Sequence, residues 1–209
     1  MIKILIADDH PVVRQGLAQI LNNEPDMKVE GEAKNVRELF ELTKKRKFDL
    51  IILDITMPDR NGLDALQQLK KERPLTPVLV LSVHSEEQYA IRVLKTGGAG
   101  YLTKESAPGE LVKAIHKVVR GGKYISPDLA EKIAFDFEKD NKPPHELLSN
   151  REYQVMCMIA SGMTISDISK KLYLSVKTVS TYRSRILSKM DLKNNAELTY
   201  YAIKNKLVD

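Results

Sequence analysis

Asp8 and Asp9 follow the aliphatic run Ile2–Ala7, and Asp54 follows Leu50-Ile51-Ile52-Leu53. Ser82 closes Val78-Leu79-Val80-Leu81, and Lys104 comes just after Gly100-Tyr101-Leu102. Three carboxylates, a hydroxyl and an ammonium therefore stand at the ends of successive short runs. If those runs lie side by side in one sheet, the five groups meet at one edge. Clustered carboxylates repel and shift upward in pKa unless a cation joins them. A hard divalent ion with oxygen ligands removes that cost, and Mg²⁺ commonly takes one or two carboxylates with phosphate oxygen and water. A carboxylate beside Mg²⁺ and a lysine is a nucleophile toward phosphorus and yields an acyl phosphate. The metal and Lys104 would neutralise the transferring phosphoryl group, and Ser82 would donate to the product. Each residue alone has a plainer reading. Asp-Asp after a strand often caps a helix, Asp54 precedes a turn, and a lone lysine is usually a surface charge. The recurrence of all five at strand ends is what favours a site.

The elements that must position them follow from the hydrophobic pattern. Five runs (Ile2–Ala7, Met27–Ala33, Leu50–Leu53, Val78–Leu81 and Gly100–Leu102) alternate with stretches whose apolar residues recur at helical spacing, such as Val13/Leu17/Ile20/Leu21 and Leu111/Ile115/Val118/Val119. Near-continuous apolar runs read as strands buried on both faces. Strands alternating with helices read as a doubly wound α/β fold, a five-stranded parallel sheet of flavodoxin-like type. In such sheets ligands sit outside the carboxyl ends of the strands. Ser85 with Gln88 reads as a capping box, Pro108 falls in a first helical turn, and Gly121-Gly122 stops the fifth helix. Residues 1–121 form this domain. Residues 122–145 read as a linker, weakly amphipathic at Leu129/Ile133/Phe137 and then interrupted by Pro143-Pro144. Residues 146–209 are helical throughout, a second, smaller all-α domain of four short helices. Ser149 with Glu152 is a capping box, and the third helix carries an inward stripe of Val176, Val179, Ile186 and Met190. Leu198, Ala202 and Ile203 mark the fourth.

The chain has 209 residues with 43% hydrophobic and 29% charged residues, an ordinary globular composition. No apolar run approaches the roughly 20 residues of a membrane span, and the N-terminal segment reads as a strand. One cysteine, Cys157, allows no internal disulfide and suits a cytoplasmic protein. The net charge is +5, and residues 146–209 hold 10 basic against 6 acidic side chains. A small basic domain suggests an anionic partner such as nucleic acid, although a solvated basic surface explains the count equally well.

The segments Ile6-Ala7-Asp8-Asp9-His10-Pro11, Leu53-Asp54-Ile55-Thr56-Met57-Pro58 with Gly62, Leu81-Ser82-Val83-His84 and Gly98-Ala99-Gly100-Tyr101-Leu102-Thr103-Lys104 resemble, in order, the signature of bacterial two-component receiver domains. That resemblance implies a phosphoryl group accepted on Asp54 from a sensor histidine kinase. It implies Mg²⁺ held by Asp9, Asp54 and the Thr56 carbonyl, with Asp8 helping through water. Lys104 would bind the phosphoryl group, and Ser82 and Tyr101 would form a switch pair in which Ser82 moves toward phosphate and Tyr101 turns inward. Glu105 stands where many receivers have proline.

The third helix of the second domain sets Lys177, Ser180, Thr181, Ser184 and Arg185 opposite its apolar stripe, flanked by Arg183 and Lys189, with Thr178 in its first turn. Hydroxyl side chains let a helix approach a groove, and Arg and Lys reach phosphates or guanine edges. A solvated polar face explains this pattern equally well. Leu148-Ser149-Asn150-Arg151-Glu152, Ile168-Ser169-Lys170-Lys171-Leu172 and Ser175-Val176-Lys177-Thr178-Val179-Ser180 resemble the LuxR-type helix-turn-helix, and the whole chain resembles the NarL/FixJ response regulators. The resemblance makes Ser175–Met190 the recognition helix. Ser180, Tyr182 and Asn194-Asn195 depart from residues common in that family and lower the positive charge of its reading face.

These readings converge on a phosphorylation-controlled transcription factor that binds double-stranded DNA, forms a homodimer when phosphorylated and has RNA polymerase as a further partner. It is no enzyme beyond its own phosphorylation and dephosphorylation. Two alternatives remain from the residues themselves. An aspartate-nucleophile phosphatase needs an acid two residues after the nucleophile, where this chain has Thr56. A receiver acting as a phosphorylation-independent interaction module would not need the complete acceptor set.

Overall fold

A computed structural model of the chain describes residues 1–57, 60–127, 129–131 and 143–208, with only the backbone of Glu87 and Ala107. It divides into two compact units, Met1–Glu131 and Lys132–Asp209. Among the described residues no helix is long and apolar enough to cross a membrane.

The first unit alternates β1 (Ile2–Ala7), α1 (Pro11–Asn22), β2 (Met27–Ala33), α2 (Val36–Lys45), β3 (Leu50–Leu53), α3 (Gly62–Glu72), β4 (Val78–Ser82), α4 (Glu86–Lys95), β5 (Gly100–Thr103) and α5 (Ala107–Val119). The strands pair in parallel in the order β2-β1-β3-β4-β5. Chain direction across the sheet reverses between β1 and β3, which makes their carboxyl ends the natural crevice. Side chains alternate across the sheet. Ile4, Ile6, Leu50, Ile52, Leu79 and Leu81 pack with Leu17 and Leu21 of α1 and with Leu111, Ile115 and Val118 of α5. The intervening Leu5, Ile51, Leu53, Val78 and Val80 are equally buried. Double-sided burial explains why these strands read as unbroken aliphatic runs, each such side chain contributing about 1.5–3 kcal/mol.

Helix ends follow the expected chemistry with one exception. Asn35 and Asn61 accept N–H bonds at the starts of α2 and α3, and proline opens α1 and α5. Ser85 precedes α4 without a side-chain capping bond, so the expected box with Gln88 is not formed; its carbonyl accepts the Gln88 N–H instead. The left-handed Gly121 (φ 87°) ends α5.

The beginning of the segment expected as a linker is not free chain. After α5 it turns back along β5. Tyr124 N–H donates to Ala99 O at 2.9 Å and Tyr124 O accepts from Tyr101 N at 3.3 Å, a single parallel bridge to Gly100. Only glycine fits there, since a Cβ on residue 100 would lie 2.6 Å from Tyr124 O. Tyr124 Oη donates to Glu110 at 2.7 Å, and burial and that carboxylate push its phenol up to about 12. Ser126 Oγ bonds Glu86, and Leu129 is buried. Local composition hid this packing because it depends on main-chain pairing with a distant strand. Ile133 and Phe137 lie outside the described residues.

The second unit begins with a 3-10 turn, Pro144–Leu147, followed by α6 (Asn150–Ala160), α7 (Ile165–Lys171), α8 (Val176–Met190) and α9 (Asn195–Lys204). Ser149, Thr164, Ser175 and Asn194 each accept an N–H of the first turn, and Ser149 and Glu152 complete a reciprocal capping box. Val155, Ile159, Ile168, Val179, Ile186, Leu198 and Ala202 are among its buried residues. Two stripe residues are misplaced by periodicity alone: Val176 and Ile203 are exposed. Val176 sits in the first turn of α8, where the helix has no layer above it, and Leu187 is buried instead.

Candidate functional site

β1 and β3 end side by side, Ala7 opposite Leu53, so the residues just beyond them meet. Asp8, Asp9, His10 and Asp54 offer ligand atoms that all lie within 4.8 Å of one another. Asp8 and Asp54 are buried, and Lys104, beyond β5, reaches both with Nζ 2.6 Å from Asp8 Oδ2 and from Asp54 Oδ2. The Lys104 backbone is fixed by its N–H bond to Ser82 O at 2.7 Å. Thr56 N–H donates to Asp54 Oδ1 at 2.8 Å, and Gly62 lets α3 start against this loop, because a Cβ there would lie 2.3 Å from Ile55 Cα.

The electrostatics are those of an acid pocket with the Lys104 ammonium resident in it. Burial pushes the Asp54 carboxyl up, opposed by the Lys104 ammonium and the Thr56 N–H and assisted by the Asp8 charge. Burial would lower Lys104, but the two carboxylates outweigh it and hold the ammonium above its ordinary value. The partners move in the same direction for opposite reasons. Apart from ion-pair contacts to Lys104 and His10, the buried Asp8 Oδ2 and Asp9 Oδ1 accept no hydrogen bond among the described residues. Carboxylate oxygens so placed fit a hard divalent cation such as Mg²⁺. The part played by His10 is not evident from sequence. Its N–H donates to Asp8 Oδ1 at 2.8 Å and its Nδ1 lies 2.9 Å from Asp9 Oδ1, a contact that no spacing rule announces.

Ser82 is fully buried at the end of β4, and its Oγ accepts the His84 N–H at 3.2 Å. Tyr101 is also fully buried, its hydroxyl donating to His84 O at 2.8 Å. The ring is therefore already inward, and the His84 peptide joins it to Ser82.

On α8, Lys177, Ser180, Thr181, Ser184 and Arg185 are exposed together. Thr181 and Ser184 hydroxyls donate to carbonyls one turn back, and Thr178 pairs with the capping Ser175. Among the described residues the side chains of Lys177 and Arg185 make no hydrogen bond or ion pair, which leaves two uncommitted cations on this face. The flanking cations are committed. Arg183 Nε donates to Asn195 at 2.6 Å, and Lys189 Nζ lies 2.6 Å from the buried Glu152.

Residues 4–116 match the family model of the response regulator receiver domain, and residues 146–202 that of bacterial regulatory proteins of the luxR family. The response regulator UvrY of Escherichia coli (strain K12) is 37% identical over 209 residues, covering 99% of this chain and 96% of that protein. The response regulator GacA of Pseudomonas syringae pv. syringae is 37% identical over 211 residues, with 100% and 99% covered. The structure of RcsB from Salmonella enterica serovar Typhimurium, bound to promoter rprA in the presence of phosphomimetic BeF3-, superposes with a TM-score of 0.69 at 28% identity, over 96% of this chain and 97% of that one. With both folds, their order and their full-length relatives in agreement, the chain belongs to the two-component response regulators of the NarL/FixJ family, a receiver followed by a LuxR-type helix-turn-helix domain.

Proposed function

We propose that this response regulator accepts a phosphoryl group on Asp54 from a sensor histidine kinase and thereby controls sequence-specific binding to double-stranded DNA and transcription. The receiver would occupy residues 1–121 with the packed segment that follows as far as Glu131, the linker what remains up to residue 145, and the DNA-binding domain 146–209. The observation that carries the reading is one ammonium, Lys104, held 2.6 Å from each of two buried carboxylates, with Asp9 beside them.

An Asp54 oxygen attacks phosphorus, the bond from phosphorus to the donor histidine nitrogen breaks, and that nitrogen keeps the electron pair and takes a proton. Asp8, Asp9, Asp54 and the Thr56 carbonyl are the residues to hold Mg²⁺, which when bound supplies positive charge against the phosphoryl oxygens. Lys104 is placed to follow the phosphoryl group, and Thr56 N–H keeps the acceptor carboxylate oriented. Ser82 Oγ is free to donate to the new phosphoryl oxygens while giving up the His84 N–H, which loosens the loop that also anchors Tyr101. Charge-assisted bonds are worth roughly 1.5–3 kcal/mol each. Two formed only in the phosphorylated state shift a two-state equilibrium by about 3–6 kcal/mol, enough for a near-complete swing.

The output is dimerisation with α8 in the major groove, Lys177, Thr178, Ser180, Thr181, Ser184 and Arg185 facing the duplex, and half-sites about 10–10.5 bp apart. Arg183 and Lys189 serve first to fix α8 to α9 and α6. Contact with RNA polymerase and a cytoplasmic location belong to the same reading. The test is intact-mass measurement after incubation with acetyl phosphate and Mg²⁺, followed by selection of duplexes from a random pool. The parent gains one phosphoryl group and Asp54→Asn gains none. Stoichiometric labelling of that variant removes Asp54 as the acceptor.

A further inference from the structure

Tyr173 and Val176 stand either side of the segment that caps α8, and both turn to solvent, a phenol ring 77% exposed and an isopropyl group 53% exposed. Tyr173 does so at φ 53°, in the left-handed region that glycine or asparagine fills more readily at a helix end. The comparable left-handed positions after α8 and α9 carry the polar Asp191 and Lys206. Here a large ring occupies the strained position and contributes nothing to the core. Its side chain makes no hydrogen bond or ring contact among the described residues. Around it, Lys170 and Lys171 close α7 and Lys177 opens α8, all exposed and without ion pairs among the described residues.

An exposed aromatic ring and an exposed aliphatic side chain, in a segment flanked by uncommitted cations, match a duplex. The cations suit phosphates, and the thymine C5-methyl is the apolar group that the major groove displays. We propose that Tyr173 and Val176 contact DNA and pack against thymine methyl groups at the edge of the site read by α8. The inference rests on the DNA-binding reading above and adds which side chains supply methyl recognition.

The full-length chain, phosphorylated with acetyl phosphate, is first used to select a duplex from a random pool. That duplex is then made with deoxyuridine in place of thymidine, which deletes only the methyl groups. Removing one buried methyl group weakens binding about fourfold. The parent should therefore bind the deoxyuridine duplex at least that much more weakly. Tyr173→Asn and Val176→Ala should each bind the thymidine duplex more weakly and lose part of the discrimination, and Tyr173→Asn should melt no lower than the parent because asparagine tolerates the left-handed backbone. Lys177→Ala should weaken both duplexes equally and keep the discrimination. Equal binding of the two duplexes by the parent overturns the inference, as does full discrimination in both apolar variants. A parent that selects no duplex overturns the DNA-binding reading itself.

Discussion

Replacing Lys104 with methionine keeps most of the side chain's length and removes the cation from the acid pocket. Two charges 2.6 Å apart attract by about 6 kcal/mol at an effective dielectric near 20. Lys104 makes two such contacts, set against the desolvation of three buried ions, which costs several kcal/mol each. Removing one partner of a buried cluster leaves charge uncompensated and typically costs about 3–5 kcal/mol. For a domain of this size, at about 3 °C per kcal/mol, the receiver transition of Lys104→Met should fall by roughly 10–15 °C in EDTA at neutral pH. The pH dependence has a definite sign. Burial and the Asp8 charge already hold the Asp54 carboxyl above its ordinary value, and without Lys104 they act unopposed by the ammonium. A carboxylate raised on folding binds its proton more tightly in the native state, so stability falls as pH rises from the ordinary value through the raised one. The deficit of the variant should therefore be smaller at about pH 5 than at about pH 8. Added Mg²⁺ should recover more of the transition temperature in the variant than in the parent, because a divalent cation takes over the missing charge. Differential scanning calorimetry measures all three. A variant melting within about 3 °C of the parent in EDTA, with no pH or Mg²⁺ dependence of the difference, would refute the electrostatic account of the pocket.

Gly62→Ala must displace backbone, since its Cβ would meet Ile55 Cα at 2.3 Å and Asp54 O at 2.8 Å; urea unfolding should show a loss of about 2–4 kcal/mol. Lys189→Met strands the buried Glu152, and with Lys189 partly solvated the cost should be about 1–3 kcal/mol by thermal melting of the second unit. Burial raises Glu152, but Lys189 and the Ser149 N–H outweigh it and hold the carboxyl below its ordinary value, so this stabilisation is present above the unfolded pKa and disappears as pH falls through the folded one. The gap between parent and Lys189→Met should close in acid. Lys177→Ala or Arg185→Ala should weaken DNA binding and reduce the salt slope by about 0.9 for each phosphate no longer neutralised, read by titration at several salt concentrations; unchanged affinity in both would argue against α8 as the reading helix.

The sheet and its acid edge were legible because double-sided burial writes itself as aliphatic runs, and strand ends then locate Asp8, Asp54, Ser82 and Lys104. What stayed hidden depends on tertiary partners. Nothing in the spacing says that His10 folds back onto Asp8 and Asp9, or that the His84 peptide joins Ser82 to Tyr101. On α8 the polar face was visible, but its sorting was not: Lys189 and Arg183 look like Lys177 and Arg185 until Glu152 and Asn195 are seen to hold them. Val176 shows the limit of periodicity at a helix end, where a residue in phase with the stripe has nothing above it to cover it.

The backward turn of residues 123–126 along β5 bears on how this protein can be cut and recombined. A chimaera that joins a foreign effector directly after residue 121 would strip β5 of its outer main-chain partner, remove the Tyr124 carbonyl and Cβ that lie against Gly100 and leave the place of Leu129 bare. A fusion joined after Glu131 keeps that edge sealed, so modular engineering of this regulator should treat the first ten residues beyond Gly121 as property of the receiver half.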